Sequence, residues 1–466
     1  MSTDRLSAIP SGSSGPDAAG RPWGLALLLL AGMGTLFFSS YGLANWLAGQ
    51  RADVPYFYFE WERHIPFVPW TIIPYWSIDL LYGISFFLWR TRAGLLTHIK
   101  RLLAAQLISV ACFIAFPLRF AFERPPADGL PGQLFTLLGG FDKPFNQAPS
   151  LHISLLVVLW VAYAMHLAPR WRWLLHGWFA LIGISVLTTY QHHLIDVPTG
   201  WLVGWLCVFA FPLPAAMATT EATGVRVGVA ASHRDPRAQS LARRYALGAC
   251  AMLLVSLAAL QVSVTVWLLL AWLALALACV ALVYRAGRPD GFGKAQDGSL
   301  PMAAWWTLAP YLGGAFLNSR WWTRGHAAVS HVAERVWIGR LPTTREMQQA
   351  SADALLDLTA EFPRLTSSRA YCCVPVLDLT VPSQAQLLIA VSQLAAWHDA
   401  GRTVLVCCAL GYSRSALVVA CWLATHRGLT DAQAVRDLLH RARPVVLGPA
   451  SMAALEQYIA LGNRHG

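Results

Sequence analysis

The sequence predicts two structural classes in one chain: an all-α polytopic membrane bundle of about eight helices, followed by a soluble α/β domain. Three observations carry this. First, 56% of the 466 residues are hydrophobic and only 13% are charged, against about a quarter charged in an ordinary soluble domain. Second, apolar runs near spanning length recur up to about residue 320 and then stop. Third, after Arg324 short β-branched runs alternate with amphipathic helical patterns, the signature of an α/β sheet domain. The expected organisation is a Ser/Gly/Pro/Ala-rich disordered tail over 1–22, a membrane bundle over 23–284, a linker with an interfacial helix over 285–324 and a soluble domain over 325–466.

The spanning runs are Trp23 to Leu47, Trp70 to Trp89, Leu102 to Leu118, Leu151 to Ala168, Trp173 to Tyr190 and Val197 to Leu213. Tyr245 to Tyr284 is long enough for two more, with a turn near Gln261, Val262 and Ser263. Basic residues fix the orientation. Arg90, Arg92, Lys100 and Arg101 follow the second run, Arg170 and Arg172 the fourth, Arg226, Arg234, Arg237, Arg243 and Arg244 the sixth, and Arg285 and Arg288 the eighth. All fall on one side when the N-terminus is cytoplasmic, which places the tail in the cytoplasm of an inner-membrane protein, with a bacterial inner membrane the expected setting. Pro301 to Trp322 carries paired tryptophans, a proline and two glycines, which favours the headgroup zone over a ninth span. The net charge of +11 follows from these loop arginines, and no aromatic-basic array suggests a nucleic-acid partner. The nine cysteines form no C-x2-C pairs, so neither a metal site nor a disulfide framework is expected, and no cofactor is implied.

Two polar groups interrupt the bundle. Pro149 and Ser150 suit a helix start, with Ser150 a candidate N-cap, and His152 then sits in a first turn where an anion is favoured. His192 and Asp196 are four apart, so they share a face if that segment is helical, and a carboxylate beside imidazole fixes its tautomer. Both groups fall on the expected extracytoplasmic side. With Arg124-Pro125, Pro149-Ser150-Leu151-His152, and Ser185 with His192 and Asp196 in view, the segment resembles the type-2 phosphatidic acid phosphatase superfamily, especially its sphingomyelin-synthase and inositol-phosphorylceramide-synthase-like branch. The resemblance implies that His192 attacks phosphorus, Asp196 orients it, His152 protonates the leaving oxygen and Arg124 binds phosphate, without a metal. Pro117 stands where the superfamily keeps a lysine, Val186 where it keeps an arginine and Leu151 where it keeps a glycine. His193 is the competing nucleophile by position but has no acidic residue at i+4.

In the tail, Val336 to Gly339, Ala354 to Leu358, Val374 to Leu377 and Thr403 to Cys407 read as strands of a mostly parallel sheet. Ser383 with Gln386, and Thr430 with Gln433, read as capping boxes, and Ala450 to Leu461 as a last helix. The most informative stretch is Val404 to Ser415. A strand ends at Cys408, a tight loop of Ala409, Leu410, Gly411, Tyr412 and Ser413 follows, and Arg414 and Ser415 open an apolar helix. Amides at a helix N-terminus cradle an oxyanion, the same field favours a thiolate, and a guanidinium grips two phosphate oxygens. The pattern C-x-x-G-Y-S-R-S resembles the signature loop of dual-specificity protein phosphatases, and with the entry from Arg335 to Pro342 that resemblance covers nearly the whole tail. It implies a cysteine-phosphatase fold with Cys408 as nucleophile, loop amides and Arg414 on the equatorial oxygens, Ser415 on the departing thiolate, and Asp378 as general acid with Asp357 second. Cys407 stands where the family has a loop-bracing histidine. Ala409 and Leu410 are neutral, which disfavours a polyphosphorylated head group and leaves a phosphoprotein or a lipid phosphomonoester. The expected function is therefore a bifunctional membrane phosphatase whose partners are the bilayer and a phospholipid or phosphoprotein. The alternative is a head-group transferase in the membrane half with a sensing tail.

Overall fold

The computed structural model describes residues 21–214 and 235–462. Residues 1–20 of the expected disordered tail, and Arg226 and Arg234 of the basic loop, lie outside the described residues. The chain forms two compact units, one ending at Glu221 and the other beginning at Ala222.

The first unit is helical: α1 (Trp23–Gly49), α2 (Ile72–Ser85), α3 (Arg92–Ala115), α4 (Gly129–Gly139), α5 (Leu151–His166), α6 (Arg172–Thr188) and α7 (Asp196–Ala210). Ser150 caps α5, its Oγ accepting from Ile153 N at 3.3 Å. The short helix α4 is not marked by any spanning run in the sequence. α7 begins at Asp196, so His192 to Ile195 form a turn ahead of it rather than its first turn. The close pair is α5 and α7. A Cβ at Gly204 would lie 2.6 Å from Val157 Cβ, and one at Gly200 2.4 Å from Ser150 O. These two glycines, four apart on one face, let the helix backbones approach. Ser154 Oγ then donates to Gly200 O at 3.0 Å, and Ser150 N donates to Asp196 O at 3.2 Å.

The second unit begins with α8 (Pro236–Ala259) and α9 (Val264–Ala286), joined by the expected turn, and then α10 (Met302–Thr323). Helices occupy all eight expected runs, and four of them, α1, α3, α8 and α9, are long and apolar enough to cross a membrane. α10 buries Ala304, Thr307, Leu308, Tyr311, Leu312 and Ser319, while Trp305, Trp306, Leu317, Trp321 and Trp322 stay exposed.

The α/β domain follows as β1 (Val329–Ala333), β2 (Val336–Arg340), α11 (Thr344–Gln349), β3 (Ala354–Thr359), β4 (Ala370–Val376), α12 (Gln384–Asp399), β5 (Val404–Cys408), α13 (Arg414–His426), α14 (Ala432–Ala442) and α15 (Pro449–Gly462). The strand order is β1-β2-β5-β3-β4, parallel throughout except for β1 against β2. The sheet is therefore mixed, because the unforeseen β1 forms a hairpin with β2. β5 is central and fully buried. Its side chains alternate: Val404, Val406 and Cys408 join the core under α12 and α13, while Leu405 and Cys407 join the opposite core. The box at Ser383 and Gln386 forms as expected. At α14 the cap is Asp431, accepting from Gln433 N at 2.9 Å, rather than Thr430. A carboxylate one residue nearer the helix reaches the amide first.

Candidate active sites

The cysteine loop runs from the end of β5 to the start of α13. Cys408 Sγ is buried, accepts from Gly411 N at 3.2 Å and lies 3.3 Å from Ser415 Oγ. Gly411 has φ +77°, and a Cβ there would lie 2.4 Å from the Gly339 carbonyl carbon, so only glycine fits. The carbonyls of the loop are engaged from outside. Ala409 O accepts from Ser319 Oγ at 2.7 Å, and Leu410 O and Gly411 O accept from Arg443 at 3.2 and 3.1 Å. Tyr412 O accepts from Val446 N at 2.8 Å, and Ser413 O takes the first helical bond of α13 from Leu417 N at 2.9 Å. Turning the carbonyls outward directs the loop amides inward, the arrangement of an anion nest.

Arg414 is buried beside this nest. Its guanidinium donates to both Glu361 oxygens at 3.1 and 2.9 Å, to Val376 O at 2.8 Å and to Asp378 Oδ1 at 2.7 Å. Burial opposes its charge, but Glu361 and then Asp378 outweigh that and hold it firmly protonated. Asp378 follows β4 and is partly exposed, so it can reach both Arg414 and a substrate entering from solvent. Asp357 is elsewhere. It pairs across β3 and β5 with Cys407 and is held by Lys294 Nζ at 2.7 Å and Tyr371 Oη at 2.9 Å, on the far face of the sheet. Burial and Asp357 push the Cys407 thiol well above its ordinary range, which leaves it a protonated core residue. Arg443, at the C-cap of α14, and Ser319, of α10, hold the loop carbonyls from outside.

The second site lies in the first unit. His192 Nδ1 is 3.2 Å from Asp196 Oδ2, and His152 and His192 line one cavity of about 90 Å³. His152 stacks on Tyr75 at 4.2 Å, and its Nε2 has no hydrogen-bond partner among the described residues. The cavity is also lined by Asp79, Asp142, Tyr41 and Tyr75. An apolar cavity of about 480 Å³ between α1, α2 and α4 shares Phe37, Phe38, Ile78, Asp79, Phe141 and Leu155 with it.

His193 points away from this cavity. Its Nε2 accepts from Ala121 N at 3.0 Å, its Nδ1 is 3.1 Å from Glu62 Oε2, and its ring stacks on Phe120 at 4.3 Å. It has an acidic partner after all, supplied from 131 residues away, and both ring nitrogens are occupied. Arg124 donates to Thr189 O at 3.1 Å and Tyr190 O at 3.3 Å, closing the C-terminus of α6, with Phe135 under its guanidinium. No arginine or lysine is among the residues lining the His152–His192 cavity. Ser185 donates to Ile182 O at 2.6 Å, and Val186 O accepts from both Gln191 N and His192 N, fixing the turn that presents His192.

Two family models match the chain. The dual specificity phosphatase catalytic domain matches residues 336–459, and the PAP2 superfamily matches residues 98–217. No curated protein matches. Among solved structures, Tk-PTP in its active form is 26% identical, covering 28% of this chain and 97% of its own, with a TM-score of 0.27. Human DUSP28 is 24% identical over 29% of this chain and 95% of its own, with a TM-score of 0.27. PTPMT1 in complex with PI(5)P is 18% identical over 30% of this chain and 99% of its own, with a TM-score of 0.27.

The two matches enclose the two sites, Cys408 to Ser415 in one and His152 to Asp196 in the other. They support phosphoric monoester hydrolase activity in a membrane protein. The dual-specificity site contains one residue that the sequence reading missed, Glu361. Its signal is faint, an acidic residue just beyond the end of β3 and ahead of a proline. The PAP2 segment contains another, the glycine pair at 200 and 204 that brings α5 to α7. Lys294, Ser319 and Arg443 lie outside every motif and act through tertiary contact alone.

Proposed function

We propose that the chain is a bifunctional membrane phosphatase with two chemically independent sites. At the first, Cys408 Sγ attacks phosphorus, forming an S–P bond as the P–O bond to the leaving group breaks, while Asp378 gives that oxygen a proton. Water, deprotonated by Asp378, then attacks phosphorus, and the S–P bond breaks, freeing phosphate and returning the thiolate, which Ser415 and the Gly411 amide receive. Arg414 and the loop amides hold the charge that develops on the equatorial oxygens. The observation that carries this reading is the Cys408 sulfur held by Gly411 N and Ser415 Oγ beside a guanidinium fixed by Glu361.

At the second, His192 is the nucleophile, oriented by Asp196, and His152 the proton donor. The adjoining apolar cavity supports a lipid substrate. Asp79 and Asp142 in the polar cavity, with Arg124 as the cation in electrostatic range of Asp142, favour one alternative: a phosphodiester lipid carrying a single negative charge, whose head group is transferred rather than hydrolysed. The basic loops support a cytoplasmic N-terminus and tail, with the histidine site on the other side.

The test is a pair of single variants of the full chain. Cys408→Ser is expected to abolish aryl phosphate hydrolysis that vanadate inhibits, and His192→Ala to abolish turnover of labelled phospholipid, each leaving the other activity in place. Vanadate-sensitive hydrolysis that survives Cys408→Ser in the His192→Ala background rejects the cysteine assignment. Release of free phosphate from the labelled lipid supports hydrolysis; a new labelled lipid supports transfer.

A further inference from the structure

Both loops that flank the reacting phosphorus are held by the apolar helices of the second unit. Tyr284, two residues from the end of α9, donates its hydroxyl to Asp378 O at 3.1 Å. Its ring packs on Tyr245 of α8 with centroids 5.2 Å apart, and Tyr245 meets Tyr311 of α10 at 5.8 Å. All three tyrosines lie within electrostatic range of Glu361, and Tyr245 and Tyr284 within that of Asp378. The phosphate loop is held by α10: Ser319 Oγ donates to Ala409 O, and Tyr412 Oη donates to Trp322 O at 3.4 Å.

These contacts tie the loop that carries Asp378 and the loop that follows Cys408 to three apolar helices. α8 and α9 are two of the four helices able to cross a membrane. α10 turns Leu317, Trp321 and Trp322 outward, each more than 60% exposed, and a tryptophan-bearing face of this kind lies at headgroup level. Arg243, Arg244, Arg285 and Arg324 are exposed beside the tyrosines and tryptophans in sequence, where they attract anionic lipid.

We propose that the cysteine site takes a phosphomonoester lipid that remains in the bilayer, and that the exposed face of α10 lies in the membrane interface. The neutral side chains of Ala409 and Leu410 fit a head group with a single phosphate. The proposal rests on the cysteine-phosphatase reading and narrows it to one substrate class.

The experiment uses the full chain carrying His192→Ala, so that only the cysteine site turns over. The protein is reconstituted in phosphatidylcholine vesicles containing phosphatidic acid, and phosphate release is compared with that from a soluble phosphotyrosine peptide and from para-nitrophenyl phosphate. The lipid is expected to have the highest kcat/KM of the three. Replacing Trp321 and Trp322 together by alanine, both exposed and so compatible with folding, is expected to lower the lipid-to-aryl-phosphate ratio by about tenfold, or about 1.4 kcal/mol. A peptide kcat/KM at or above that of the lipid, or variants that lower both substrates in proportion, overturns the proposal while leaving the cysteine assignment intact. Aryl phosphate hydrolysis that persists after Cys408→Ser sinks the cysteine assignment and this inference together.

Discussion

Arg414 shows what a buried guanidinium needs around it. A buried guanidinium costs several kcal/mol unless it is paired, and here Glu361 takes two of its donors while Asp378 takes a third. Glu361 is therefore the residue that fixes the fork's plane. Glu361→Gln keeps the shape and removes the charge, and is expected to cost about 3 kcal/mol of stability, read as a lowered thermal midpoint, together with a fall in kcat. Asp378 is bound to the same arginine, so in the proposed mechanism an incoming phosphate competes for that bond. Cys407 is the opposite case. Adjacent in sequence to Cys408, it faces the other core and is held as a thiol by burial and Asp357. Cys407→Ser is expected to leave a vanadate-sensitive activity that Cys408→Ser removes, measured as aryl phosphate turnover. The signature from Cys408 to Ser415 was legible residue by residue, because the loop's geometry dictates its glycine, arginine and serines. Glu361 was not, because an acidic residue before Phe-Pro carries no spacing that ties it to an arginine 53 positions later.

Among the elements, α5 and α7 decide the histidine site. His152 and His192 come from segments 40 residues apart in sequence, and they meet because Gly200 and Gly204 allow backbone contact with Ser150, Ser154 and Val157. Gly204→Val is expected to force these helices apart at a cost of about 1–3 kcal/mol and to lower phospholipid turnover by about 100-fold through misplacement of the histidines, with the cysteine site still active as the control. α10 is tied to the sheet in a second way. Glu346 of α11 accepts from Arg340 at 2.6 Å and lies 3.8 Å from Arg320 of α10. Burial resists its ionisation, but the hydrogen bond from Arg340 outweighs that and holds its carboxyl below 4.5. A carboxyl lowered on folding stabilises above its unfolded value and loses that contribution as pH falls through the folded one. Acidification below pH 4.5 is thus expected to loosen α10 from β2 and α11, seen as faster amide exchange in α10 than at neutral pH. The helical runs themselves were legible from hydropathy. Their pairing was not, since a glycine in an apolar run has the same hydropathy whether it faces lipid or another helix.

At the scale of the whole molecule, the division of the chain differs from the division of its composition. Hydropathy places the boundary near residue 284, where apolar sequence gives way to a polar linker. The compact units divide between 221 and 222, so α8 and α9 lie in the same unit as the α/β domain. Lys294, in the segment between α9 and α10, shows the physical cause. It reaches Asp357 at 2.7 Å and both oxygens of Thr359 at 2.8 and 2.9 Å, deep in the sheet domain. Lys294→Met is expected to strand the Asp357 carboxylate in the core and lower the melting temperature of the full chain, with a larger effect than substitution of an exposed lysine such as Lys100. The sidedness proposed for the two sites is a separate matter, checked by a reporter fused after Gly466: activity of a cytoplasmic reporter is the expected result.

Local chemistry was enough to mark both candidate sites. The phosphate loop, the strands that feed it and the histidine pair are encoded in contiguous residues, because an anion nest and a helix start are themselves local structures. What holds those parts in place is long-range: Glu361 against Arg414, Arg443 and Ser319 on the loop carbonyls, Glu62 on His193, Tyr284 on the acid loop. Each is a polar group whose partner is chosen by burial, and burial depends on how helices and sheet stack, which no spacing in the sequence records.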